Sequence, residues 1–359
     1  MKRPFGLTIL LLAGLFAGCL SDEAGSDENA VPAVDPDALV IPELDAVALL
    51  AGLRDFAETF PERADNLPAH TGARDWIAAE MEALGLDVWR HEFENGIPQE
   101  NIVGIQWGAD REQVVVVGGH YDIASKECGL LGTCVLRPFS QGAYDDASGI
   151  LLILHLAAAF ADMELPFSVA FVAFDGEERG LQGSGAFSEA LIDGTTPFGP
   201  LEPTAIRAML NLDMFGINWP GTDAPVYFDS NSPELEAHVG KVRDAIAMPE
   251  EMLEYRGISL GRSDYHWFFE LGVPTGFFIS SFEEWQLPAD VPYNVQALAL
   301  PGGISAYPFW HLEDTYDTMV LMAGSQADLE AAFQAAADLA AGTLYRMAVD
   351  TAPLTAPEA

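Results

Sequence analysis

Uniform apolar runs alternate along this chain with segments of mixed polarity, and the runs carry the first structural expectation. Phe167-Ser-Val-Ala-Phe-Val-Ala-Phe174 is apolar at every position but Ser168, with no period-two alternation. A run that short, rich in Val and Phe, predicts a strand covered on both faces. Val114-Val-Val-Val-Gly-Gly-His120 and Ala208-Met-Leu-Asn-Leu-Asp213 read the same way. Ala147 to Phe160 is apolar nearly all round, which predicts a helix buried against the sheet. Strand and helix signals alternate, so the expected fold class is α/β: one three-layer domain, a mixed and mainly parallel sheet with helices on both faces.

Each apolar run ends in a group that binds metals or moves protons. His120 closes the first, the adjacent Glu177 and Glu178 follow the second, and Asp213 closes the third. In open α/β sheets functional groups gather outside the carboxyl ends of the strands. Gly142-Ala-Tyr-Asp-Asp-Ala-Ser-Gly149 adds Asp145 and Asp146 just before the apolar helix, and Trp310-His-Leu-Glu-Asp-Thr315 adds His311. Singly, each has a plainer explanation: a solvated acidic turn, a hydrogen-bonded histidine, a helix cap. Jointly, imidazole and carboxylate groups without thiolates suit catalytic zinc. Neighbouring glutamates point in different directions, so one can bind metal while the other serves as general base. Because the candidates run from His120 to His311 and must meet, no domain boundary can fall between them.

The order of these segments resembles the co-catalytic zinc exopeptidases of the bacterial leucyl aminopeptidase and glutamate carboxypeptidase type. The resemblance covers roughly residues 40 to 347 and rests on six motifs: His-x-Asp, Gly-Ala-x-Asp-Asp-Ala-Ser-Gly, Glu-Glu-x-Gly-Leu-x-Gly-Ser, Asn-Leu-Asp-Met, Ser-Asp-x-x-x-Phe and His-x-x-x-Thr. It implies two zinc ions per chain, one on His120 and Asp213, the other on Glu178 and His311, bridged by Asp145. Glu177 matches the general base. Asp122, two residues beyond His120, is placed to orient the imidazole. Asp264 matches the Ser-Asp motif near the cleft, and Trp310 stands where many relatives carry a tyrosine that steadies the oxyanion. His266 is displaced by one position from the family pattern and reads as structural.

Composition adds a compartment. Lys2 and Arg3 precede an apolar stretch from Leu7 to Leu15, and Phe16-Ala-Gly-Cys19 resembles a lipobox. The expected organisation is a lipoprotein signal peptide over 1–18, a lipidated acidic linker over 19–40 beginning at Cys19, an enzyme domain over 41–348 and a disordered tail over 349–359. Such a protein is anchored to the outer face of the membrane; an ordinary cleaved signal is the alternative. Export suits a disulfide between Cys128 and Cys134, with metal binding by the pair as the weaker reading. The net charge of −39, with 16 basic residues of which only Lys2, Lys126 and Lys241 are lysine, argues against nucleic acid as a partner. It fits a salt-loving host, or else a cationic partner.

The leading functional expectation is an extracytoplasmic zinc aminopeptidase acting on peptides with a free N-terminus. Glutaminyl-peptide cyclase, a single-zinc acyltransferase of similar fold, is the alternative, because Phe174-Asp-Gly-Glu-Glu178 and Trp310-His311 echo that group as well. An inactive peptidase-like binding lipoprotein ranks third, since it would have no need of an intact Glu177.

Overall fold

The central apolar runs form parallel strands because nothing on them needs water. In the computed structural model, every residue of Phe167–Phe174 is buried, so both faces of that strand are covered. The structure describes residues 41–356, apart from 65–66, 125, 129–133, 137–139, 215, 218–225, 259–262 and 281–313, and gives only the backbone of 126–128 and 134–136. Pro36–Ala359 form one compact unit; Met1–Asp35, with Cys19, lie outside the described residues.

In chain order the helices are α1 (Ala46–Thr59), α2 (Pro68–Ala83), α3 (Ser148–Phe160), α4 (Gln182–Asp193), α5 (Pro233–Ala245), α6 (His266–Glu270), α7 (Tyr316–Ala323) and α8 (Gln326–Val349). The strands are β1 (Asp87–Glu94), β2 (Pro98–Gln106), β3 (Asp110–His120), β4 (Lys126–Cys128), β5 (Cys134–Leu136), β6 (Phe167–Phe174), β7 (Ile206–Leu212), β8 (Val226–Ser230), β9 (Leu253–Gly257) and β10 (Thr275–Ile279). Eight of them form one sheet in the order β1-β2-β6-β3-β7-β10-β8-β9. Its centre, β6-β3-β7-β10, is parallel throughout, while β1, β2 and β8 join antiparallel. The expected mixed, mainly parallel sheet is therefore present.

Burial separates centre from edge. Val114 to His120 are all buried, whereas β1 alternates and exposes Asp87, Arg90, Glu92 and Glu94. Charged side chains on an outer strand discourage pairing with another chain. α3 packs on β3, β6 and β7 and is buried over most of its surface, which accounts for its almost uniform apolar sequence. α8, the longest helix among the described residues at 24 residues, packs against α1, α5 and α7.

The carboxyl-terminal tail departs from expectation. The carbonyls of Thr351 and Ala352 accept hydrogen bonds from Arg207 Nη2 at 3.1 and 3.2 Å, and the Thr355 hydroxyl donates to Glu234 at 2.8 Å. The described part of the tail, through 356, is thus tied to the domain. These ties are polar and mostly to backbone, so no apolar period in the tail announces them.

Candidate metal centre

Register brings the strand-end residues to one rim. In β3, His120 pairs with Phe174 of β6, and Gly118 pairs with Asn211 of β7, so two residues further on His120 is level with Asp213. His120 is buried, with Nε2 3.0 Å from Asp145 Oδ1 and 3.7 Å from Asp213 Oδ1. His120, Glu177 and Asp213 each offer a ligand atom, and these lie within 4.8 Å of one another.

The supporting contacts explain why the ligand types stay in place. Asp213 Oδ2 accepts the Ser263 hydroxyl at 2.6 Å, and Ser263 Oγ in turn accepts from the Asn211 amide at 2.7 Å. Asp213 Oδ1 is buried and accepts no hydrogen bond among the described residues. A buried carboxylate oxygen without a donor is costly unless a cation takes it. Burial by itself would lower the pKa of His120, but Glu177, Asp122, Asp145 and Asp213 together carry it well above the ordinary range. The cluster thus demands positive charge, and a divalent cation on neutral His120 would meet the same demand. The donor set of imidazole and carboxylate suits zinc.

Asp145 belongs to a turn over Ala143–Ala147 that leads directly into α3. The backbone N–H groups of Tyr144 and Asp145 donate to the two oxygens of Asp314 at 2.8 and 2.9 Å. Asp314 is buried, and burial pushes its carboxyl up to about 7. The peptide bond between Asp145 and Asp146 is cis. Asp146 acts as a tie and helix cap: it accepts the N–H of His120 at 3.3 Å, of Gly149 at 2.8 Å and of Met214 at 3.4 Å.

The acidic pair follows β6 through Asp175 and Gly176, whose φ of 73° lies in the left-handed region. Glu177–Arg179 then form a short 3-10 turn. Asp122 takes a fuller part here than its expected role as orienter of an imidazole. Its carboxylate accepts the N–H groups of Glu177 and Glu178 at 3.1 and 3.2 Å, while His120 Nδ1 meets the Asp122 carbonyl at 3.1 Å and its carboxylate only at 3.5 Å. One side chain therefore couples the histidine strand to the acidic turn. Glu177 is half-buried, and desolvation with the nearby carboxylates of Glu178, Asp264 and Asp213 raises its pKa well above the usual carboxylate range, His120 opposing.

Asp264, expected at the substrate pocket, is fully buried, and burial pushes its carboxyl up to about 7. His266 begins α6. His311 and Trp310 lie outside the described residues.

Sequence reasoning passed over four contributors. Asp314 and Ser263 sit inside motifs read for other residues. His70 bonds Asp175 at 2.8 Å beneath the acidic turn, and Arg63 is wholly buried close to the aspartates. For Arg63 no local pattern was available: only burial distinguishes it from a surface arginine.

The model of peptidase family M28 matches residues 101–328. The chain belongs to this family. All described ligand candidates of the M28 site fall within that stretch. Among curated relatives, the "probable leucine aminopeptidase 2" of Aspergillus oryzae is 29% identical over 208 residues, which is 55% of this chain and 37% of the relative. Aminopeptidase YwaD of Bacillus subtilis is 27% identical over 185 residues, 50% of this chain and 35% of the relative. The matched region thus spans little more than a third of either relative. Among solved structures, the zinc aminopeptidase BSAP from Bacillus subtilis superposes with a TM-score of 0.64 at 16% identity, covering 85% of this chain and 95% of that one. A glutaminyl cyclase from Bacteroides thetaiotaomicron superposes with a TM-score of 0.63 at 15% identity, covering 85% and 99%. At such identities the two structures establish the α/β fold and do not separate the activities.

Proposed function

We propose that this protein is a zinc-dependent aminopeptidase that removes N-terminal residues from peptides. The observation that carries the reading is the meeting of His120, Glu177 and Asp213 at the ends of β3, β6 and β7, with Asp213 Oδ1 left for a cation. Two zinc ions are inferred, one on His120 and Asp213, one on Glu178 and His311, with Asp145 between them. Bound there, zinc would polarise the scissile carbonyl and lower the pKa of the attacking water. Glu177 would accept that water's proton and deliver it to the departing nitrogen, a task suited to a carboxyl whose pKa burial and neighbouring carboxylates raise above the usual range. Asp122 would keep Glu177 in reach by holding its backbone, and Trp310 could donate its indole N–H to the oxyanion.

Glutaminyl-peptide cyclase is the second reading, favoured by the structural likeness to such an enzyme. The Asp213 oxygen beside His120, which accepts no hydrogen bond among the described residues, supports the peptidase, because hydrolysis benefits from a metal on that pair whereas a single-zinc cyclase leaves it unused. The expected result is release of free amino acids from several unblocked peptides and none from their N-acetylated forms. Pyroglutamate formed from glutaminyl peptides, with no amino acid released, would move the chain to the cyclase class.

The setting is also inferred. Export and lipidation at Cys19 would tether the enzyme to the outer membrane face. Cys128 and Cys134 are direct partners in the antiparallel β4–β5 ladder, which supports a disulfide because facing residues there sit at the Cα spacing a bridge needs. Unreduced peptides analysed by mass spectrometry are expected to show the pair joined; two free thiols in protein from its native membrane would refute it. With a net charge of −39, a salt-adapted surface is the preferred explanation. Melting temperature should rise as salt approaches molar levels, since screening relieves self-repulsion, and full stability in dilute buffer would refute this.

A further inference from the structure

Arg63 lies before the stretch matched by the family model, yet it is the cation most deeply embedded near the metal centre among the described residues. Its side chain is 0% exposed. Every donor contact it makes is to a backbone carbonyl: Nε to Tyr121 at 2.8 Å, Nη1 to Gln141 at 2.6 Å and to Phe60 at 3.2 Å, and Nη2 to Gly142 at 2.9 Å. The guanidinium also lies over the Phe56 ring, 4.8 Å from its centroid.

Those carbonyls belong to two separate stretches of chain. Tyr121 follows His120 directly, and Gln141 and Gly142 lead into Asp145. Between them the chain leaves at Ala124 and returns at Ser140, so local sequence does not hold the two stretches together. The backbone beside Arg63 repeats the same bridge: the Arg63 carbonyl accepts the Ile123 N–H at 3.2 Å, and the Glu62 N–H donates to the Ser140 carbonyl at 3.3 Å. Two further features fit. Glu62 holds a left-handed φ of 56°, a conformation that a glutamate keeps only where its surroundings over-determine it. Gly142 leaves room for the clamp, since a Cβ there would fall 2.8 Å from Arg63 Nη2 and collide with Ile123 Cγ2.

We propose that Arg63 is a positioning residue for the metal centre: its planar fork holds the stretch leaving His120 and the stretch entering Asp145 at one spacing, and so sets the separation of those two ligands. A guanidinium suits this because it presents several donors in one rigid plane, whereas an ammonium is a point donor on a flexible stem. Burying it without a carboxylate in contact is tolerated because the nearby aspartates Asp314, Asp146, Asp122 and Asp145 favour its charge, against a burial that lowers its pKa to about 10. It therefore remains charged at neutral pH.

The proposal rests on His120 and Asp145 being ligands, and the test separates the two ideas. Zinc affinity is measured by competition with a chromophoric chelator for the full chain, Arg63→Met, Arg63→Lys and a core truncation in α8, Leu344→Ala. Melting of each metal-stripped protein and kcat and KM on leucine amide are measured alongside. Arg63→Met is expected to weaken zinc binding by about 10- to 100-fold, the range for residues that orient ligands, and to lower kcat with little change in KM. Arg63→Lys should fall between it and the unaltered chain. Leu344→Ala should lose melting temperature but keep its zinc affinity. Unaltered affinity in Arg63→Met overturns the clamp, as does an equal loss of zinc in Leu344→Ala. If Arg63→Met does not fold, Arg63→Lys decides by the same criterion. An unaltered chain that binds no zinc would overturn the ligand reading instead.

Discussion

Replacing Glu177 by Gln is expected to leave zinc content unchanged and to lower turnover by about 10² to 10⁴ fold, the range for loss of a general base. The substitution keeps size and shape, and the turn should survive because its anchor is the Glu177 backbone N–H on Asp122 at 3.1 Å, which the side chain does not touch. What is lost is a proton acceptor. Glu178→Ala should behave differently and empty one zinc site at similar fold stability. Geometry makes this a demanding comparison, because the Glu177 carboxylate lies close enough to His120 and Asp213 to act as a ligand itself. Zinc analysis beside steady-state kinetics settles it: metal lost with activity retained in Glu177→Gln would reverse the roles of the pair.

Asp145→Ala is expected to remove most of both zinc ions and to abolish hydrolysis. Asp145 is buried, 3.0 Å from His120 Nε2, and its backbone is held by Asp314. A ligand shared by two metals has no substitute within this framework, so the loss should exceed the roughly 10- to 100-fold typical of residues that merely orient ligands. Asp314→Ala should fall in that lower range, since it removes the acceptor for two N–H groups and leaves the Asp145 carboxylate present. Equal zinc content in Asp145→Ala and the unaltered chain would refute the bridging role.

Much of this was legible along the chain. Apolar runs predicted β3, β6 and β7 because central parallel strands exclude polar residues on both faces, and the groups that follow them were candidates because strand ends share one rim. His120, Asp213 and the acidic pair could be picked out for that reason, and Asp145 through its place before an apolar helix. Less legible were the residues that act through backbone. Asp122 was assigned to the imidazole, yet its carboxylate chiefly holds the N–H groups of Glu177 and Glu178. The tail, rich in Ala and Pro, looked unstructured, yet Arg207 and Glu234 hold its described part.

The difference has one physical origin. Sequence by itself determined the fold class, the family and the identity of the strand-end groups, because hydrophobic period and residue chemistry are properties of short segments. Tertiary structure alone decided which carboxylate meets which donor, because hydrogen bonds to backbone N–H and C=O place no demand on the partner's residue type. Tyr144 and Asp145 donate to Asp314 through groups that every residue but proline possesses, and Arg63 reads carbonyls that any sequence would supply. Only the folded chain, by bringing Phe60 to Ala64 against the stretches around Tyr121 and Gly142, shows that an arginine joins the stretches carrying two ligand candidates.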